Sequence, residues 1–176
     1  MNVNLPLVIR AAAFAAEKHR RQRRKDADAS PYINHPIALA NVLVNEATVE
    51  DTTVLAAALL HDTIEDTATT SQELETVFGA TIAGIVNEVT DDKSLSKAER
   101  KRGQIEHAAG LSPQAKLVKL ADKICNLRDM NDAPPADWPL ERRREYFDWA
   151  KQVIDRLRGA HARLENLFDA EYARRP

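Results

Sequence analysis

The chain has 176 residues, 44% hydrophobic and 30% charged, with a net charge of −2, five glycines and one cysteine. That length suits a single domain over 1–176 with its own core, and abundant helix formers with few aromatics favour an all-α fold over a sheet. Near-neutral charge speaks against a nucleic-acid polymer as partner, one cysteine excludes an internal disulfide framework, and no apolar run has the length that crosses a bilayer.

The opening, Met1-Asn2-Val3-Asn4-Leu5-Pro6, has neither the basic nor the long apolar region of a signal peptide, so the cytoplasm is the expected compartment. The first helix is predicted over 5–21, with Leu7, Val8, Ala11, Phe14 and Ala15 on one face. It runs into a basic stretch from His19 to Lys25, in which Arg20 and Arg21 read as a solvated helix end. A polar loop follows, in which the Ser30-Pro31 step disfavours helix, and Pro36 suits the first turn of a second helix over 36–45.

Asp51-Thr52 offers a cap for a third helix over 53–64, whose stretch from Val54 to Leu60 is apolar all round and therefore buried on most sides. Thr70-Ser71 marks another capped start, with the helix ending at Phe78 and Gly79 as its stop. Further helices are expected over 80–90, 97–108, 112–130 and 140–170, with Pro134-Pro135 breaking the chain before the last. There is no internal repeat, low-complexity segment or interdomain linker.

The chemically informative segment is Leu60-His61-Asp62-Thr63-Ile64-Glu65-Asp66, where a wholly apolar helix ends abruptly in ionisable groups. On a continuous helix Glu65 lies four residues beyond His61 and three beyond Asp62, and Asp66 four beyond Asp62, so three carboxylates crowd one patch near the helix's negative pole. A divalent cation removes that conflict, and carboxylates with neutral imidazole suit manganese, iron or zinc. An isolated His-Asp pair reads more simply as an ordinary hydrogen-bonded pair; the apolar run before it and the acids after it favour the metal. Asp122 lies among the apolar positions of the 112–130 helix, where a carboxylate is costly unless it is metal-bound or paired with a cation, and spacing leaves both open. Asn126 follows one turn later on the same side. His35, before a proline, is either a turn residue or a further ligand, and His19, His107 and His161 are expected to face solvent.

A histidine, a later His-Asp pair and a distant aspartate resemble the metal signature of the HD phosphohydrolase superfamily. His61-Asp62-Thr63-Ile64-Glu65-Asp66-Thr67 further resembles the hydrolase domain of RelA/SpoT-type alarmone enzymes, as do Arg23-Arg24-Lys25, Pro31-Tyr32-Ile33-Asn34-His35-Pro36, Glu88-Val89-Thr90-Asp91-Asp92-Lys93 and Lys116-Leu117-Val118-Lys119-Leu120-Ala121-Asp122-Lys123. The match also includes Asn126-Leu127-Arg128-Asp129 and reaches nearly the whole chain. It implies a single-domain HD-type helical bundle with a central metal site, similar to the small, hydrolase-only members, because the chain ends before the synthetase and regulatory domains of the larger relatives. It implies an enzyme that uses one divalent ion, most readily Mn2+, to remove the 3′-pyrophosphate from guanosine tetra- or pentaphosphate, leaving GDP or GTP. Carried over residue by residue, His35, His61, Asp62 and Asp122 bind the metal and Glu65 and Asp66 form an acid/base pair. Arg24, Lys25, Tyr32, Asn126, Lys97, Arg142 and Tyr146 contact the nucleotide. Cys125 departs from the larger residue often found at that place and reads as a packing change. Another phosphorylated nucleotide, such as NADPH losing its 2′-phosphate, fits the same site; a non-catalytic nucleotide sensor would have been favoured by loss of a ligand or of the acid pair, and a plain helical interaction protein leaves the acids unexplained.

Overall fold

The computed structural model describes residues 4–176, all of the expected domain except its first three residues. The described residues form ten α-helices and no strand, apart from one antiparallel bridge between Arg23 and Pro31. The helix α1 (Leu5–Lys18) starts at Asn4, whose side chain accepts from the Leu7 amide at 3.2 Å, and buries Ala11 and Ala15. It stops short of the predicted end. Continued helix would stack Arg20, Arg23 and Arg24 as like-charged neighbours three and four residues apart; instead the chain turns, with the Gln22 amide on the His19 carbonyl at 2.9 Å. The second helix, α2 (Asn34–Asn41), begins two residues before the expected start with Pro36 in its first turn, and runs into a wide turn, Val42–Glu46, closed by the Ala47 amide on the Val42 carbonyl.

At the centre is α3 (Thr52–Leu60), capped by Asp51 Oδ1 on the Thr53 amide at 2.8 Å and buried at every position from Val54 to Leu60. Each Leu or Val so buried contributes about 1.5–3 kcal/mol, which is why an unstriped apolar helix ends up wrapped on all sides. Beyond it come α4 (Thr63–Asp66), α5 (Ser71–Phe78), α6 (Ala80–Val89) and α7 (Lys97–His107), then α8 (Pro113–Asp132), α9 (Leu140–Asp155) and α10 (Ala162–Ala173). The partners packed against α3 are α1, α2, α6 and α8. No residue of α7 is buried; it lies along α9 at the molecule's edge.

Two predicted helices are interrupted. The one expected over 53–64 breaks at His61 and Asp62, where Asp62 takes φ −98° and ψ 0° and the Thr63 hydroxyl donates to the Leu60 carbonyl at 2.7 Å, competing with the helical ladder. The one expected over 140–170 is two helices. Gly159 at φ +89° turns the chain, His161 Nδ1 caps α10 by accepting from the Leu164 amide at 3.3 Å, and Glu165 accepts from the Gly159 and His161 amides. The last helix is tied back by Arg128 of α8, whose guanidinium donates to both oxygens of Glu46 at 2.7 and 2.8 Å and to Glu171 at 2.9 Å.

Candidate metal centre and substrate groove

The break in the central helix places the ionisable groups. His61 and Asp62 occupy it, α2 brings His35 in its first turn, and α8 brings Asp122 from its middle; α2, α3 and α8 all pack on one another. Donor atoms of His35, His61 and Asp62 lie within 4.8 Å of one another. Asp122 is outside that compact trio, yet its Oδ1 is 3.3 Å from His35 Nε2 and 4.0 Å from His61 Nε2. The ring closes through Asp62 Oδ2, 2.9 Å from His61 Nε2 and 4.0 Å from His35 Nε2. Ligand bonds of about 2.1 Å put adjacent donors about 3 Å apart and opposite ones about 4.2 Å apart, so these separations suit one shared cation.

The donor chemistry fits as well. His61 Nδ1 lies 2.8 Å from the Ala58 carbonyl, so the ring donates there and turns the lone pair of Nε2 inward, as metal-bound imidazoles commonly do. That Nε2 is buried without a hydrogen-bond partner; His35 turns its Nε2 to the same centre, with its Nδ1 buried and unpartnered. Without a cation the electrostatics are polarised. Burial lowers His61, but the carboxylate charge of Asp62, 2.9 Å from Nε2, wins and pushes it up to about 8. Burial lowers His35 outright. Against burial, His61 holds Asp62 well below the usual carboxylate range, and Lys123 with His35 does the same for Asp122. Asp122 meets the cation-paired expectation, its Oδ2 pairing with Lys123 Nζ at 3.0 Å, while Oδ1 faces the imidazoles.

Glu65 and Asp66 lie beside this ring on α4, and the two sit in different surroundings. Glu65 is pushed up by burial, and its Oε2 accepts from the Asp91 amide at 3.1 Å. Both oxygens of Asp66 accept hydrogen bonds, Oδ2 from Gln22 Nε2 at 2.9 Å and Oδ1 from Lys93 Nζ. The expected crowding of acids persists, since the charges of Asp62, Asp91 and Asp66 add to the push of burial on Glu65, while neighbouring donors hold each of the two carboxyl groups.

All seven residues expected at the nucleotide line connected space around the ring. A cavity of about 440 Å3 is walled by Arg24, Lys25, Tyr32, Asn126, Trp138 and Tyr146. It shares Arg24, Tyr32, Asp66 and Asn126 with the ring's own pocket. A wider groove of about 800 Å3 adds Lys97, Lys101, Arg142 and Trp149. Three expected contacts also hold other protein groups. Tyr32 Oη donates to Asp62 Oδ2, Asn126 Nδ2 donates to Asp122 Oδ1 at 2.6 Å, and the Arg24 guanidinium pairs with Asp129 while lying 5.6 Å from the Tyr32 ring centroid.

Sequence reasoning missed Lys123, Trp138 and Trp149. Lys123 follows Asp122 in the chain, a usable signal, while the tryptophans declare themselves only once Arg142 lies 4.1 Å from the Trp138 centroid and Lys123 4.5 Å from that of Trp149. It also misplaced His19. That ring is 2% exposed, not solvent-facing, because the turn after α1 folds it against Tyr32, with centroids 4.8 Å apart.

Residues 11–148 match the HD domain family. Over 159 residues the chain is 58% identical to the guanosine-3′,5′-bis(diphosphate) 3′-pyrophosphohydrolase MESH1 of Danio rerio, covering 90% of this chain and 88% of that protein. It is 36% identical over 175 residues to a probable GTP pyrophosphokinase of Mycobacterium leprae, covering 97% of this chain and 21% of the relative. A solved structure, described as a metazoan ortholog of SpoT that hydrolyzes ppGpp and plays a role in starvation responses, superposes with a TM-score of 0.95 at 49% identity, covering 99% of this chain and 98% of that one. On the strength of that family match and of relatives similar along nearly its whole length, this chain belongs to the HD-domain family, among the RelA/SpoT homologues.

Proposed function

We propose that this chain is a metal-dependent hydrolase that removes the 3′-pyrophosphate from guanosine tetra- or pentaphosphate, giving GDP or GTP and pyrophosphate. The observation that carries the reading is the convergence of two imidazoles and two carboxylates from α2, the α3–α4 break and α8, with two further carboxyl groups beside them and a cation-lined groove in front. The printed activity of the MESH1 relative supports the substrate. In this reading His35, His61, Asp62 and Asp122 hold one Mn2+, which when bound acidifies a water and stabilises charge on the phosphoryl group. Glu65, raised by burial, is the acid that protonates the departing 3′ oxygen in this reading, while Asp66 orients and deprotonates the attacking water. Arg24, Lys25, Lys97 and Arg142 neutralise the substrate's phosphates, Tyr32 and Tyr146 line the nucleoside, and Asn126 holds Asp122. We place the enzyme in the cytoplasm as one HD domain over 1–176; among the described residues no helix is long and apolar enough to cross a membrane.

The test is a Mn2+-supplemented assay on guanosine tetraphosphate, with GDP and pyrophosphate measured as products and NADPH run in parallel at the same metal concentration. Stoichiometric GDP and pyrophosphate support the assignment. Faster release of phosphate from NADPH transfers it to the 2′-phosphate, and no turnover of either nucleotide refutes hydrolysis.

A further inference from the structure

We propose that His19 and Gln22, outside the metal ring and the acid pair, are positioning residues that aim the carboxylate of Asp66; the inference rests on the hydrolase reading above. The chain of contacts is continuous. His19 Nδ1 lies 2.6 Å from Gln22 Oε1, and Gln22 Nε2 donates to Asp66 Oδ2 at 2.9 Å. Each link fixes the next. An ionised carboxylate only accepts, so the amide must present its N–H2 to Asp66 and its carbonyl to His19. That carbonyl in turn requires His19 to carry its proton on Nδ1. The ring cannot easily turn away: it is 2% exposed and lies against Tyr32 with centroids 4.8 Å apart and planes inclined by 31°. Its other nitrogen is buried with no partner, so Gln22 is the one hydrogen-bonded link from this imidazole.

Such an arrangement is hard to explain as packing alone. A buried histidine with an orphaned Nε2 carries a desolvation cost that phenylalanine at the same place avoids. What phenylalanine lacks is the donor that holds the Gln22 carbonyl. The second clamp on Asp66, Lys93, has a side chain 51% exposed and holds Oδ1 on a flexible stem. The His19–Gln22 arm is the rigid one. Through Tyr32, whose hydroxyl donates to Asp62, the same turn of chain also steadies a metal-ligand candidate, so residues 19–32 set the spacing between the ring and the proton carrier.

The experiment compares steady-state kinetics on guanosine tetraphosphate with Mn2+ for the wild type, His19→Phe, His19→Asn, Asp66→Asn and the His19→Phe/Asp66→Asn double variant, with Mn2+ affinity measured for each. Displacing a catalytic group by about 1 Å costs up to about a hundredfold, so His19→Phe is expected to lower kcat about tenfold to a hundredfold, with KM and Mn2+ affinity within about twofold of wild type. His19→Asn, whose amide N–H replaces the Nδ1 donor, is expected to recover much of that loss. In the Asp66→Asn background His19→Phe should do nothing further, which a merely structural role does not predict. Wild-type kcat in His19→Phe, or an equal loss in both backgrounds, overturns the proposal. Gln22→Ala, at a half-buried position, carries the same test if the Phe variant folds poorly. If the wild type hydrolyses neither guanosine tetraphosphate nor NADPH, the hydrolase reading fails, and the relay is then read from imidazole 15N shifts. Protonation of His19 at Nδ1 that is lost in Gln22→Ala supports the relay; a ring indifferent to Gln22 overturns it.

Discussion

Titrating the metal-stripped protein with Mn2+ probes the four-donor ring directly, and the structure gives both the size and the pH dependence of the response. In the metal-free state Asp62 pushes His61 up to about 8 although burial pulls it down. A ligating imidazole must be neutral, so binding at pH 7 expels a proton. At one unit below that value the cost is about tenfold in apparent affinity, or about 1.4 kcal/mol. The sign follows from the raised pKa: the His61–Asp62 pairing stabilises the metal-free fold fully below His61's ordinary 6.5 and loses that contribution as pH rises through about 8, where the cation takes its place. Metal at a hundredfold excess over Kd stabilises the native state by about 2.7 kcal/mol, which in a chain of this length raises Tm by about 5–11 °C. Calorimetric melts with and without Mn2+, and isothermal titrations between about pH 6 and 8.5 in buffers of different ionisation enthalpy, measure both quantities. The expected record is a Tm rise of that size, affinity weakening nearly tenfold per unit below pH 7, and about one proton released. An equal rise in His61→Ala or Asp122→Ala, or an affinity indifferent to pH, refutes the reasoning.

Replacing both Glu65 and Asp66 by alanine should leave that Mn2+-induced rise intact while turnover falls by about 10²–10⁴-fold, since neither group is assigned to the ring; near-normal turnover removes their acid/base roles. Arg128→Ala leaves Glu46 and Glu171 without their shared cation and is expected to destabilise the protein by on the order of 2 kcal/mol in urea melts. Arg128 holds the Glu46 carboxyl below its usual value, so this contribution is present above pH 4.5 and lost as pH falls through the depressed pKa, and wild type and variant should converge in acid. Burial raises the Cys125 thiol, so it should resist iodoacetamide in the native protein at neutral pH and react fully in denaturant; rapid native labelling contradicts its placement.

Local sequence determined the helices and the inventory of the site. The apolar run from Val54 to Leu60 fixed a buried central helix, Asp51, Thr70 and Gly79 marked real caps and stops, and Asp122 among apolar neighbours announced a carboxylate needing a partner. Periodicity cannot register an interruption made by side-chain hydrogen bonds, which is why the break at His61–Asp62 was hidden inside a run that read as continuous helix; the turn at Gly159 had a signal in the sequence, the glycine itself, which takes a positive φ there. Burial of His19 was equally invisible, since polar neighbours in sequence say nothing about a ring folded against Tyr32.

Only tertiary structure decided which groups meet. Packing of α2 and α8 on α3 carries His35 and Asp122, 87 positions apart in the numbering, to 3.3 Å of each other, and lets Asp122 serve Lys123 with one oxygen and the imidazoles with the other. The same packing set the pocket wall, where Trp138 and Trp149 meet cations from other helices. Side-chain chemistry is written residue by residue along the chain, whereas distances between remote residues come from how helices bury their apolar faces.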